Sequence, residues 1–310
     1  MKTRSRLAWL VFVLALLLPE TLTRQPSAPE ATAPPVAETI RLLAGGEVLT
    51  LPLEEYVVGV LAGEMPVSFE LEALKAQAVA ARSYTLYCAA GRKHADADIC
   101  DESRHCQAWL DEAALRRSWG GDYEQNLARL REAVSATAGE VLRYEGKPVF
   151  AAFHASSAGA TEDCGAIWNA QPYLVSVSSP ESAETVPHYV TRLVCAPLDL
   201  RDTLLSAHPE ADFSAEASNW LGAVELDGSG RVARMTLGGA VFTGTELRAL
   251  FALRSTAFTL DWDGTEFCFT VTGHGHGVGM SQYGANVLAA GGMGYRDILA
   301  HYYPGTVLSS

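Results

Sequence analysis

The sequence predicts an α+β fold, mixed helices and antiparallel strands, because helical and strand-like segments follow one another without the regular alternation of a doubly wound sheet. Two patterns carry that reading. Apolar residues at three- and four-residue spacing mark helices, as with Leu71, Leu74, Ala78, Ala81 and Thr85. Short β-branched runs flanking Gly45-Gly46 and Glu145-Gly146 mark hairpins. A chain of 310 residues that is 48% hydrophobic has enough apolar surface for one large domain or two.

The N-terminus sets the compartment. Lys2, Arg4 and Arg6 precede an apolar run from Leu7 to Leu18, the pattern of a secretory signal. That run is short for a membrane span of roughly 17–25 residues. Thr21-Leu22-Thr23-Arg24 is a poor cleavage site, so residues 1–24 read equally as a cleaved signal or a membrane anchor. Both readings export the body. Residues 25–39, rich in Pro and Ala, read as a linker, and a single body follows over 40–310. The formal net charge of −13 argues against nucleic acid, which needs a basic stripe, and against attraction to anionic lipid.

Within the body, strands are expected over 39–43 and 47–51, a short helix over Leu53–Leu61 stopped by Gly63, and a long helix from Leu71 to Ala90. A loop follows from Arg92 to Gln107, then helices over 111–117 and 124–136, and a hairpin from Glu140 to His154. Residues 185–270 read as short strands with one helix near 243–251, and a last helix covers 295–303 before Pro304-Gly305.

Glu64, in Gly63-Glu64-Met65-Pro66, sits on the junction between the first two helices. A carboxylate pinned there and partly desolvated suits a general acid, while a solvated turn glutamate satisfies the same local sequence. Lys75 and Arg82, seven apart on one helix face, could steer a carboxylate or sugar oxygens or form a solvated face. The loop after the long helix holds His94, Cys100, His105 and Cys106, a donor set for tetrahedral zinc, with Cys88 a competing ligand. Four protein ligands leave no open position, so such a site is structural. Disulfides are the alternative in an exported chain, and Cys164 and Cys195 could pair and leave Cys268 over. The segment 273–285, with Gly at 273, 275, 277 and 279, lets backbone approach a ligand but lacks the Lys of a phosphate loop. His154, Ser156 and Ser157 form a second small-residue loop that could line the same cleft, without a nucleophile-elbow pattern.

Together these segments resemble the SpoIID (stage II sporulation protein D) family, peptidoglycan lytic transglycosylases of spore-forming bacteria whose domain is shared with amidase enhancers. The resemblance rests on 53–60 with 63–66, Leu74-Lys75-Ala76-Gln77-Ala78-Val79-Ala80-Ala81-Arg82-Ser83-Tyr84, Phe153-His154-Ala155-Ser156-Ser157, 273–285 and His301-Tyr302-Tyr303-Pro304-Gly305-Thr306. One loop departs from the commoner glycine-rich version by reading Ser156-Ser157-Ala158-Gly159. The resemblance implies a domain with a glycan-binding cleft, Glu64 as catalytic acid, and one structural zinc on His94, Cys100, His105 and Cys106. It implies cleavage of glycan strands with a 1,6-anhydro product in sporulation, and a SpoIIP-type amidase as partner. Arg82, His154, Ser156, Gln282 and Tyr283 are then expected to hold the sugars. Two alternatives accompany it: a non-catalytic glycan-binding enhancer of an amidase, and a zinc hydrolase using the His–Cys loop.

Overall fold

The computed structural model describes residues 39–310. The expected export segment, and the linker apart from Thr39, lie outside the described residues. Strand β1 (Thr39–Ala44) turns at Gly45-Gly46 into antiparallel β2 (Glu47–Pro52), with Ala44 opposite Glu47. Helix α1 (Leu53–Glu64) follows directly, and Gly63 does not stop it. Glu64 is its last residue, and the chain then turns extended at Met65, whose N–H closes on the Leu61 carbonyl. Gly63 serves packing instead, because a Cβ there would stand 3.2 Å from Ala108 Cβ.

Helix α2 (Leu71–Gly91) ends as expected, with Arg92 in the left-handed conformation as cap. The loop beyond it contains an unanticipated strand, β3 (Ile99–Cys100), which pairs in parallel with β1 through Leu42–Ile99 and Leu43–Cys100. Two residues are too few for an alternation signal. Helix α3 (Glu112–Trp119) is capped by Asp111, and α4 (Tyr123–Ser135) follows a single 3₁₀ turn. The hairpin of β4 (Val141–Tyr144) and β5 (Lys147–Pro148) turns at Glu145 and Gly146, both at positive φ. It does not extend to His154; β6 (Phe153–His154) leaves it to pair elsewhere.

A short helix α5 (Cys164–Ile167) precedes a second region. There β7 (Val190–Cys195), α6 (Pro197–Ala207), β8 (Leu221–Leu226), β9 (Val232–Leu237), β10 (Ala240–Thr243), α7 (Gly244–Leu250), β11 (Phe258–Trp262) and β12 (Phe267–Thr272) build two three-stranded antiparallel sheets, ordered β10-β9-β8 and β11-β12-β7. Helix α6 lies where only strands are expected; Pro197 opens it, and Leu200 and Leu204, one turn apart, are its buried stripe. The chain then returns through β13 (Met280–Ser281), α8 (Gln282–Ala290), α9 (Tyr295–Tyr302) and β14 (Val307–Ser309), which closes on β4. Helix α8 begins inside the glycine-rich motif, where Ser281 accepts the Gly284 N–H as a cap. β13 and β6 pair in parallel, Met280 with Phe153 and Ser281 with His154.

Two hydrophobic cores result. The first gathers α1, α2, α4, α9 and the 278–285 segment; the second lies between α6, α7 and the two sheets. Arg231, the residue before β9, crosses between them, with Nε 3.6 Å from Glu162 and NH2 donating to the Ala160 carbonyl. All six cysteines are free thiols, so the suggested Cys164–Cys195 pairing is not formed; Cys195 and Cys268 sit on the paired strands β7 and β12, and the Cys164 thiol donates to Asn169 O. Among the described residues no helix is long and apolar enough to cross a membrane.

Gly279 (φ +73°) passes so close to Ala152 that an added Cβ would run into its carbonyl oxygen, which already accepts from Met280 N–H and Tyr303 OH. Gly139 (φ +74°) has the same conformation with no atom within 4 Å. Gly279→Ala is therefore expected to lower the melting temperature by roughly 5 °C or more, and Gly139→Ala by clearly less. Equal losses in the two would show that strain alone, and not the close approach, sets the requirement.

Candidate functional site

A cleft of about 1170 Å³ opens between the two cores. Glu64 and Gln282 line it beside His154 and His276; Tyr84, Tyr87, Phe150 and Trp168 form an aromatic side; Lys93, Arg104 and Arg248 contribute cations. Glu64 is the one carboxylate among the described lining residues.

The position of Glu64 follows from the end of α1. Its Oε1 accepts the Ala108 N–H at 2.6 Å, and Gln282, the first residue of α8, lies against the carboxylate without a well-formed bond from its Nε2. Burial pushes the Glu64 carboxyl above its ordinary value, and the Ala108 and Gln282 contacts only partly oppose that. Glu64 is thus a buried, hydrogen-bonded carboxyl and not a solvated turn residue.

The floor consists of the two small-residue loops, held by one buried carboxylate. Glu181 Oε1 accepts from Ser157 N–H and Ser281 OH at 2.5 Å, and Oε2 accepts from Ser179 OH at 2.5 Å. Ser179 in turn meets Tyr302 OH at 2.8 Å. His154 is fixed by this floor. Its Nδ1 lies 3.2 Å from the Val278 carbonyl, which can only accept, so Nδ1 carries the proton and Nε2 accepts from Ser157 OH at 2.6 Å. Burial, then the neighbouring His276, hold His154 well below the usual imidazole range. His276, pushed down to about 4 by burial and by the charge of Arg248, is likewise neutral and accepts the Val278 N–H on Nδ1.

The four metal-ligating candidates converge. His94, Cys100, His105 and Cys106 bring one donor atom each within 4.8 Å of the others. Cys100 Sγ lies 3.2 Å from His105 Nδ1, His94 Nε2 lies 3.3 Å from Cys106 Sγ, and Cys106 Sγ lies 3.7 Å from His105 Nδ1. A tetrahedron with Zn–S near 2.3 Å and Zn–N near 2.05 Å has S–N edges of about 3.5 Å, so the arrangement fits zinc. β3 places Cys100 there by its pairing with β1, and Lys93 closes the loop by donating to the His105 carbonyl. Two residues past Cys106, Ala108 supplies the hydrogen bond to Glu64.

The expected sugar contacts divide. Gln282 and His154 line the cleft, although both ring nitrogens of His154 are already engaged. Arg82 does not face it: fully buried, it donates to both oxygens of the partly exposed Glu54 and to the Glu140 carbonyl. Lys75 pairs with Glu72 at 2.7 Å. Ser156 is buried and exchanges backbone bonds with His274, and Tyr283 packs edge-on against Phe69. The lining residues Phe150, Trp168 and Arg248 were not singled out from sequence. Arg248 carried one usable sign: no acid stands three or four residues away to pair with it on α7.

A family model described as "Stage II sporulation protein" matches residues 45–144, the span holding Glu64 and the His–Cys loop. Stage II sporulation protein D of Bacillus amyloliquefaciens is 35% identical over 295 residues, covering 94% of this chain and 83% of that protein. Stage II sporulation protein D of Bacillus subtilis (strain 168) is 36% identical over 293 residues, covering 89% and 80%. An amidase enhancer of Bacillus subtilis (strain 168) is 29% identical over 300 residues, covering 81% of this chain and 40% of the relative.

The raised Glu64 carboxyl makes a signed prediction about stability. A carboxyl whose folded pKa exceeds the unfolded one keeps its proton longer in the fold, so stability falls as pH rises from the ordinary glutamate value towards the folded one. Glu64→Gln removes that loss while keeping an acceptor for Ala108 N–H. The variant is expected to melt above the parent at neutral pH, with the gap closing below about pH 4. A variant that melts below the parent at pH 7 would mean the ionised carboxylate is stabilised in place.

Proposed function

The chain belongs to the stage II sporulation protein D family, and from that membership and its cleft we propose that it is a peptidoglycan lytic transglycosylase. The observation that carries the reading is a partly desolvated carboxylate with raised pKa, without a second carboxylate in the described lining of the cleft. Ordinary glycosidases need two, one as acid and one to activate water or attack the sugar. A transglycosylase needs one, because the substrate brings the nucleophile. Glu64 protonates the glycosidic oxygen leaving N-acetylmuramic acid. Its conjugate base then takes the proton of that sugar's C6 hydroxyl, and the oxygen closes a 1,6-anhydro ring. Holding the hydroxyl against its own anomeric carbon replaces capture of a water. Gln282 is placed to hold the carboxylate or the sugar beside it, and Phe150, Tyr87 and Trp168 offer faces for sugar rings.

The setting we propose is outside the cytoplasm, with residues 1–24 as signal or anchor, on glycan strands freed of stem peptides by a SpoIIP-type amidase during sporulation. The relative named amidase enhancer favours a second reading, a binding module that assists an amidase without cutting. Digestion of peptide-free glycan separates the two. Parent protein is expected to give anhydro-muramyl ends by mass spectrometry and Glu64→Gln to lose at least about a hundredfold in rate. Reducing ends, or equal activity of parent and variant, sink the lytic reading; binding without any product supports the enhancer.

We also propose one zinc ion on His94, Cys100, His105 and Cys106. Bound there, it would cross-link the loop whose exit carries Ala108, with no coordination position left for chemistry. Chelation is expected to release one equivalent of zinc and lower the melting temperature by several degrees, and Cys100→Ser to do the same without chelator. Loss of activity with an unchanged melting temperature would favour a catalytic metal instead.

A further inference from the structure

The cleft's charges oppose those of the chain. The protein carries a formal −13, yet its cleft presents Lys93, Arg104 and Arg248 against one carboxylate of raised pKa. Lys93 is occupied, donating to Tyr84 OH and to the His105 carbonyl. Arg104 is exposed at the surface of the His–Cys loop. Arg248 differs from both. It is half-buried on α7, its Nε donates to the Leu253 carbonyl at 3.3 Å, and among the described residues no carboxylate forms an ion pair with it. Burial and the neighbouring guanidinium of Arg231 both act against its charge, and no acid offsets them. Arg231, by contrast, has Glu162 beside it.

A guanidinium withdrawn from water without a counter-charge is a poor structural element and a ready receptor. It presents a planar fork of donors that matches a carboxylate, and such charge-assisted pairs are about twice as strong as neutral hydrogen bonds. Its charge is already felt across the cleft, where it helps keep His276 and His274 neutral. Arg254 is a second cation at that end, but its guanidinium is engaged, donating to His274 Nδ1 and to the His188 carbonyl.

We propose that Arg248 reads a carboxylate on the bound saccharide. This rests on the glycan reading above and deepens it. In a muramic-acid polymer the candidate anion is the lactyl carboxylate, which is free only where no stem peptide is attached; a peptide converts it to a neutral amide. Arg248 would thus be the residue through which the cleft distinguishes a free lactyl carboxylate from an amidated one.

The test measures binding in a Glu64→Gln background, so that turnover does not intrude. Two probes are used: soluble peptide-free glycan strands with free carboxylates, and the same strands with the carboxyls converted to methylamides. The free-carboxylate strands are expected to bind about tenfold or more tightly than the amidated ones. Adding Arg248→Gln should abolish that difference, and adding Arg248→Lys should keep part of it. The melting temperature should be little changed, since Arg248 contributes a single bond to Leu253. A preference that survives Arg248→Gln overturns the proposal, as do equal weakening of both probes and no binding of either. If the preference behaves as expected but the parent yields no anhydro ends, the cleavage reading fails and this one stands.

Discussion

The first core is organised by a helix with no solvent face along its centre. Leu74, Ala76, Ala78, Val79, Ala80 and Ala81 of α2 are all inaccessible, and small side chains at most of these positions let neighbouring backbones come close. A helix buried in this way needs partners for the polar groups it carries, and apart from the Gln77 amide, which has none among the described residues, they are matched. Arg82 meets Glu54 of α1 and the Glu140 carbonyl; Ser83 and Thr85 bond back to Val79 and Ala81; the Gln107 amide donates to Tyr56 OH and Thr85 Oγ1. Those last bonds matter beyond α2. Gln107 joins α1, α2 and the end of the His–Cys loop in one dry contact, and the next residue, Ala108, holds Glu64. The direction of α1, the height at which it ends and the loop that meets its last carboxylate are thus set by the same helix.

The opposite wall depends on a different economy of side chains. Loops 153–162 and 273–281 have Gly, Ala, Ser or Thr at twelve of nineteen positions, so they have limited apolar surface with which to hold one another. Glu181 replaces that surface with three charge-assisted bonds, to Ser157, Ser179 and Ser281, inside a region closed to water. Glycine makes the close packing possible: at 284 any side chain would collide with Tyr302, Ser179 and Glu181 together. His154, held between Val278 and Ser157, is better understood as part of this framework than as a hand for the substrate, which is why a motif histidine in a cleft has both nitrogens spent internally.

What could be read from sequence was what local patterns encode. The turns at Gly45-Gly46 and Glu145-Gly146, the long helix to Gly91 and the His–Cys set all arise within short windows. Helix α8 stayed hidden because glycines 273–279 dominate its window, although Ser281 three residues before Gly284 is a cap in the expected place. β3, β6 and β13 are two-residue strands that exist only through their partners. Arg82 was misassigned for a related reason: a seven-residue spacing places Lys75 and Arg82 on one face but does not say whether that face meets water, and Glu54, 28 residues away, decides it. The bond from Ala108 to Glu64 spans 44 residues and comes from backbone, so no side-chain pattern could signal it.

The charges in the cleft show why its acid and its cations must be kept apart. A guanidinium beside a carboxylate lowers its pKa by about 1–3 units, which would work against the upward push that burial gives Glu64. The groups acting on Glu64 are burial, Ala108 and Gln282, and none of them is a cation. Arg248 instead acts on His276, His274 and, more weakly, His154. At an effective dielectric near 20, two unit charges interact by about 4 kcal/mol at 4 Å but only about 1 kcal/mol at 15 Å, so separation within one cleft is sufficient insulation. Neutral donors give the carboxylate direction without taking its proton: each net hydrogen bond is worth about 1 kcal/mol, less than the penalty for ionising a group drawn out of water. One part of the cleft can therefore attract an anion without a guanidinium opposing the upward push that burial gives the Glu64 carboxyl.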